Sequence, residues 1–331
     1  MKSVQIETPN HAHLIDCPIP TPKIDEVLIR VKASGICGTD VHILRGEYLG
    51  QYPVIPGHEF SGVVEAVGAS VTRYQVGDRV AVEPNIACNN CYNCLHNRQN
   101  FCLNWQAVGV TRPGGMAEYV VAPESAVFSI GDLEFERGAF VEPLSCVLHG
   151  IERAQIRLAD KIALLGAGPI GILLLQAARL QGAAHIDVAE RNPARLGLAK
   201  DCGAAATFQS LDDLKRDEYD LVIDATGAIP VMERSLDFVR PGGTVLLFGV
   251  PPSGKKMSLE AFEIFHKGLK IVSSYTSVRN SYQAVTLLQT GQIDTSGLIS
   301  HRLPLSEFVH GVETIEQGKE NVRKVMLMPE M

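Results

Sequence analysis

Several features that would assign a chain to a membrane, an export route or a nucleic acid are missing here. Apolar runs such as Ile170 to Leu175 fall far short of the roughly 20 residues that a membrane-spanning helix needs. The N-terminus, Met1 to Glu7, lacks the apolar stretch of a signal peptide. No basic stripe is present: the net charge is −7, with acids and bases interspersed, which argues against nucleic acid as a partner. There is no internal repeat, low-complexity tract or long linker. What is present suits an ordinary soluble globular enzyme, at 46% hydrophobic and 20% charged residues. A chain of 331 residues is long enough for two domains with full cores. The expectation is a cytoplasmic protein with reduced thiols.

Eight cysteines are present, and four of them, Cys88, Cys91, Cys94 and Cys102, fall within fifteen residues. The spacing C-x2-C-x2-C-x7-C lets one loop wrap a tetrahedral ion. Zinc held by four thiolates is a closed site that stabilises a fold and leaves no position for substrate. Two disulfides are a poor alternative in a chain without an export signal. A ferredoxin-type cluster more often has proline after its last cysteine, where this chain has Leu103. Only Arg98 is basic between Cys88 and Cys102, which argues against a zinc-ribbon nucleic-acid binder.

The composition changes near residue 145. Before it, short runs such as Val27–Val31, Gly62–Val67, Asp78–Val82 and Glu118–Val121 alternate with glycine and proline, the pattern of a barrel-like all-β domain. After it, strands at Lys161–Gly166, His185–Glu190, Asp220–Asp224, Gly243–Phe248 and Lys270–Val272 alternate with helices such as Pro169–Gln181 and Asn192–Asp201. This rhythm predicts βαβ units and a doubly wound parallel sheet, so the fold class is α/β. A helix near Ser281–Gln289 and a strand at Lys324–Leu327 are expected to return to the first domain. The expected divisions are 1–145, with a zinc lobe at 88–102, then 146–275 and 276–331, with a cleft between the domains.

Gly166-Ala167-Gly168-Pro169-Ile170-Gly171 is a G-x-G-x-x-G turn between an expected strand and an expected helix. In that setting the glycines permit a tight turn, close approach of a pyrophosphate and close helix–strand packing. The phosphates would meet exposed amides at the helix N-terminus. Glu190, at the end of the next strand, can accept hydrogen bonds from ribose hydroxyls and repel a 2′-phosphate. That favours NAD over NADP, although Arg191 and Arg195 stand close by and soften the repulsion. The competing reading of Glu190 is a solvated strand end.

A second constellation combines Gly35-Ile36-Cys37-Gly38-Thr39-Asp40-Val41-His42, Pro56-Gly57-His58-Glu59-Phe60 and Val141-Glu142-Pro143-Leu144-Ser145. Cysteine, histidine and carboxylate from separated segments are the donors of an open, catalytic zinc site. Taken singly, each could be core packing or surface. Together with the four-cysteine lobe and the glycine turn, these segments resemble the zinc-dependent medium-chain dehydrogenase/reductase superfamily. The likeness is strongest to its polyol (sorbitol) and threonine dehydrogenase branches, and it covers essentially the whole chain in the family's order.

The resemblance implies a β-rich GroES-like catalytic domain and a Rossmann NAD-binding domain, with two zinc ions per chain, one catalytic and one structural. Cys37 and His58 match catalytic zinc ligands. Glu59 matches a carboxylate that is a direct ligand in some members, and Glu142 replaces a third cysteine of simple alcohol dehydrogenases. Asp40 matches the residue that orients the ligating histidine. Thr39 and His42 match a proton relay, although Thr39 could equally cap a helix and His42 could be a surface histidine. Ile170, Val250, Ser274 and Tyr275 are implied near the dinucleotide. The implied reaction moves a hydride from a secondary alcohol of a polyol or sugar alcohol to NAD, giving the ketone. Threonine or a simple secondary alcohol is the alternative substrate, because Ser273-Ser274-Tyr275-Thr276 stands where polyol dehydrogenases often carry arginine. A homotetramer or dimer joined through the sheet domain is also implied. A non-enzymatic NAD-binding relative is the less fitting class, since the ligand and relay residues are all retained.

The remaining histidines, His11, His13, His96, His149, His185, His266, His301 and His310, have no ligand-like company in the sequence and read as structural or solvated. Cys146 and Cys202 read as small core residues, and Cys17, between Asp16 and Pro18, reads as inert. Tyr48 and Trp105 are weaker candidates for the substrate side.

Overall fold

Short alternating runs in the first 145 residues and alternating strands and helices after them build two different architectures. The computed structural model describes residues 1–48, 51–318 and 321–331. It divides into two units, Met1–Ser145 with Ser277–Met331, and Cys146–Thr276.

The first unit opens with an antiparallel hairpin of β1 (Lys2–Thr8) and β2 (His11–Asp16). Its main sheet uses β3 (Glu26–Gly35), β4 (Glu59–Val67), β5 (Arg79–Val82), β8 (Tyr119–Pro123) and β9 (Val127–Ser129). Two late strands complete it, β16 (Ile299–Leu303) and β17 (Lys324–Leu327). The order is β16-β17-β3-β4-β5-β9, with β8 also paired to β3. Two-residue strands β6 (Asn85–Ile86) and β7 (Gln106–Ala107) pair at the base of the four-cysteine lobe. The strands hold together through side chains such as Val27, Ile29, Val31, Val64, Val80 and Val127, all fully buried. Burial of each is worth about 1.5–3 kcal/mol relative to exposure.

The second unit is a six-stranded parallel sheet of β10 (Lys161–Leu165), β11 (His185–Ala189), β12 (Ala206–Phe208), β13 (Tyr219–Asp224), β14 (Val239–Leu247) and β15 (Lys270–Ser273). The order is β12-β11-β10-β13-β14-β15. Counted within the unit this is 3-2-1-4-5-6, so the winding reverses between β10 and β13, the place where such sheets bind dinucleotides. The helix Pro169–Leu180 follows β10 and begins with proline, whose fixed φ suits the first helical turn.

Two features depart from the sequence reading. The N-terminal hairpin was not foreseen, yet Val4 and Ile6 are buried against the first core. β14 starts at Val239 rather than Gly243, because Val239 pairs with Tyr219 ahead of a register shift. Among the described residues no helix is long and apolar enough to cross a membrane.

Candidate active site

Strand pairing itself brings the mixed ligand set together. β3 ends at Gly35 and β4 begins at Glu59, and these two residues are paired in register. Cys37, just after β3, and His58, just before β4, are thereby neighbours although 20 residues separate them in the sequence. One donor atom each from Cys37, His58 and Glu59 lies within 4.8 Å of the others. His58 and Glu59 are buried and Cys37 is half-buried.

Asp40 organises this cluster from the helix Gly38–Arg45. Its fully buried carboxylate accepts the Cys37 N–H at 2.8 Å and the Gly57 N–H at 3.2 Å, and lies 3.5 Å from His58 Nδ1. One side chain therefore fixes both ligand-bearing loops, and its carboxylate turns the Nδ1 edge of the imidazole toward itself. Burial disfavours the His58 imidazolium, but Asp40 and Cys37 outweigh it and push its pKa well up. The Cys37 thiol is pushed up by burial first and by Glu59 second, against the pull of His58 and Lys324.

Lys324, the first residue of β17, was not singled out in the sequence. Its buried ammonium pairs with Glu59 Oε2. Burial acts to lower its pKa, yet Glu59 and Cys37 hold it above the ordinary lysine value. Gly35 makes the pairing possible: a Cβ there would sit 2.6 Å from Glu59 Oε2 and 2.7 Å from Lys324 Cε. The signal available was a lysine opening an otherwise apolar, buried strand, since lysine is rarely buried without a partner. A thiol, an imidazole and a carboxylate whose donor atoms converge within 4.8 Å fit a zinc ion with one position open.

Thr39 and His42 lie on the same helix, and i, i+3 residues share a face. Cys37, rather than Thr39, occupies the N-cap position. His42 Nδ1 is 2.9 Å from Glu47 Oε2 at the surface. Glu142 is buried near the start of the helix Val141–Ala154, but outside the set of converging donors. Tyr48 and Trp105 pack against the core around Ile43 and Val325.

The four cysteines of the lobe converge as a second set within 4.8 Å. Three of their Sγ–Sγ distances are 3.4 Å (Cys91–Cys94), 4.0 Å (Cys91–Cys102) and 3.5 Å (Cys88–Cys102). Sulfurs about 2.3 Å from one tetrahedral ion are separated by about 3.8 Å, so the set fits zinc. None of the eight cysteines is in a disulfide. Backbone N–H groups of Leu103 and Cys94 bring the Cys91 thiol down to about 6, while burial pushes Cys94 up to about 12.

In the second unit, the glycine turn follows β10 and Glu190 follows β11. Glu190 Oε2 accepts the Ala167 N–H at 2.9 Å, and Oε1 accepts the Asn192 N–H at 2.9 Å. The carboxylate is thus fixed against the turn, with Arg195 Nη1 3.9 Å away. Gly171 must be glycine, because a Cβ would lie 2.1 Å from Gly166 O. Val250 is exposed beside Gly227, Ile170 and Tyr275 are half-buried, and the Ser274 hydroxyl is buried without a hydrogen-bond partner.

These two architectures and their donor sets define a class, and comparison with known proteins gives the same one. Residues 23–132 match the alcohol dehydrogenase GroES-like domain, and residues 169–290 match the zinc-binding dehydrogenase domain. The chain belongs to the zinc-containing medium-chain alcohol dehydrogenase family. It is 39% identical over 316 residues to the D-altritol 5-dehydrogenase of Agrobacterium fabrum, covering 93% of this chain and 94% of that one. It is 33% identical over 326 residues to the L-threonine 3-dehydrogenase of Rhizobium etli, covering 94% and 93%. A candidate zinc-binding dehydrogenase from Sinorhizobium meliloti, solved with NADP, superposes with a TM-score of 0.95 at 35% identity over 99% of both chains.

Proposed function

We propose that this chain oxidises a secondary hydroxyl of a polyol or sugar alcohol to a ketone, with NAD as hydride acceptor. The observation that carries the reading is the convergence of Cys37, His58 and Glu59 within 4.8 Å in a fold shared with zinc dehydrogenases. The altritol dehydrogenase likeness, at 39% identity, supports a polyol over threonine. When bound, zinc polarises the substrate oxygen and the nicotinamide accepts the hydride.

The remaining work falls to the chain's own side chains. Cys37 and His58 would hold the catalytic zinc with Glu59 as the nearest third donor, while Glu142 lies outside that converging set. Asp40 orients His58. Lys324 balances the Glu59 charge whenever that carboxylate faces away from the ion. The substrate proton leaves through the Thr39 hydroxyl to His42, and the Glu47 carboxylate, 2.9 Å from His42 Nδ1, draws it to the surface. Gly166, Gly168, Pro169, Ile170 and Gly171 form the pyrophosphate turn, with Val250, Ser274 and Tyr275 assigned to the nicotinamide side. Glu190, pinned by two amides, accepts the ribose hydroxyls. Cys88, Cys91, Cys94 and Cys102 would hold the structural zinc.

The test is a panel of polyols, threonine and simple secondary alcohols, each run with NAD and NADP and followed by reduced-cofactor absorbance. Polyol turnover with NAD is expected. Turnover of threonine alone would overturn the substrate reading, and preference for NADP would overturn the cofactor reading. Glu190→Ala should weaken NAD and relax discrimination against NADP. Metal analysis should find about two zinc ions per chain.

A further inference from the structure

We propose that Glu7, His11 and His13 form a third metal site, on the outer face of the N-terminal hairpin, for a divalent transition ion of the nickel–copper–zinc group. The two histidines alternate along β2, so both project from one face of the strand. Nothing in the sequence joins Glu7 to them. The structure does so through a bulge: pairing runs Gln5 to His13 and Ile6 to Ala12, then shifts, so that Glu7 and Thr8 together oppose His11. One donor atom from each of the three residues falls within 4.8 Å of the others. His11 Nε2 is 4.0 Å from Glu7 Oε2, and the two imidazole centres are 5.6 Å apart, tilted by 49°. Two rings sharing an ion about 2.1 Å from each nitrogen need centres about 5–6 Å apart, so the rings already stand at chelating distance.

The scaffold beneath the three side chains is fixed. Val4 and Ile6 anchor β1 in the core on the opposite face. The turn is tied down where the Asn10 N–H donates to Leu44 O at 2.6 Å and Arg45 donates to Asn10 Oδ1 at 2.8 Å. The His11 and Glu7 side chains are 67% and 55% exposed. They can therefore close the last ångström by rotation without disturbing packing. Two imidazoles and one carboxylate select against calcium and magnesium, which take oxygen ligands, and in favour of ions late in the divalent series. The outward side stays open to water, so the site is one of binding, and it shares no residue with the two sets proposed for zinc.

The experiment uses the untagged full-length chain as purified, dialysed against micromolar Ni2+ and then analysed for nickel and zinc. Wild type should hold about one more nickel per chain than the His11→Gln/His13→Gln double variant, with equal zinc and equal dehydrogenase turnover in both. With Cu2+, the electron paramagnetic resonance signal should carry hyperfine structure from two nitrogens, falling to one in His13→Gln. Glu7→Gln should weaken nickel about tenfold through loss of the charged donor. Equal nickel uptake by wild type and the double variant would overturn the site. An unchanged affinity in Glu7→Gln would remove Glu7 and with it the three-donor assignment.

Discussion

The four-cysteine lobe takes every donor from residues 88–102, whereas Cys37, His58 and Glu59 are assembled by strands from separate parts of the first unit. The lobe has almost no core of its own. Its apolar side chains Tyr92, Leu95, Phe101 and Leu103 are 65%, 69%, 52% and 73% exposed, and its regular structure is one turn of helix and one 3-10 turn. Around Cys37 the situation is reversed. Asp40 and Lys324 are buried and already positioned, and the sheet supplies the geometry. On the proposed assignment an ion in the lobe would make the fold, whereas at Cys37 the fold would make an ion site. On that proposal the difference would separate a metal that sets stability from a metal that sets activity.

Cys37→Ser gives the largest expected effect and the sharpest test of this contrast. Turnover should fall on the order of 10³-fold or more, since a catalytic ligand is lost. One zinc should be lost, while NAD binding and Tm stay close to wild type. Full kcat in this variant would end the catalytic assignment. Cys102→Ser should do the opposite, lowering Tm on the order of 10 °C with loss of the other zinc. A Tm equal to wild type would mean that the lobe folds without its ion, and the comparison would collapse. Lys324→Met comes third. Removing one partner of a buried ion pair costs about 3–5 kcal/mol, and a bound zinc offsets part of that by taking up the Glu59 charge. The variant should therefore lose more stability after chelation than when zinc-loaded, as measured by urea unfolding with and without chelator. Equal losses would show that Glu59 never exchanges Lys324 for the ion.

The lobe was legible in the sequence because its spacing alone encodes the geometry. The parallel sheet was legible too, because strand and helix periods alternate at regular intervals. The mixed set needed the family likeness as well, since Cys37 and Glu59 meet only through the register of β3 and β4, and no local pattern fixes a register. Lys324 and the Glu7 group were not legible for the same reason. One depends on which strand lies beside β3, the other on a bulge between Ile6 and Thr8. Contacts set by pairing across a sheet leave only a faint trace in the sequence, such as a lysine in an apolar run.

Glu83 links the two regions and gives the smallest effect. It follows β5 and is buried. One carboxylate oxygen accepts from the Asn85 side chain at 2.6 Å, and Asn85 in turn accepts the Trp105 indole N–H at 3.0 Å, so both ends of the lobe are tied to it. The other oxygen is within hydrogen-bond reach of the hydroxyls of Ser145, Ser277 and Ser281 at 3.2, 2.6 and 2.8 Å. Ser145 stands one helical turn after Glu142 and also reaches its carbonyl at 2.7 Å. A single acceptor group thus fastens the base of the lobe to the helix that carries Glu142. Glu83→Gln preserves the shape but turns one acceptor into a donor facing either the serines or Asn85. The mismatch should cost about 1–3 kcal/mol, lowering Tm by several degrees, with a modest rise in the ease of zinc loss from the lobe. The catalytic zinc should be less affected, because Cys37 and His58 are held by Asp40 instead. If chelator strips both ions faster in equal measure, the two sites are coupled through Glu83, and the separation of a structural from a catalytic region is weaker than their construction suggests.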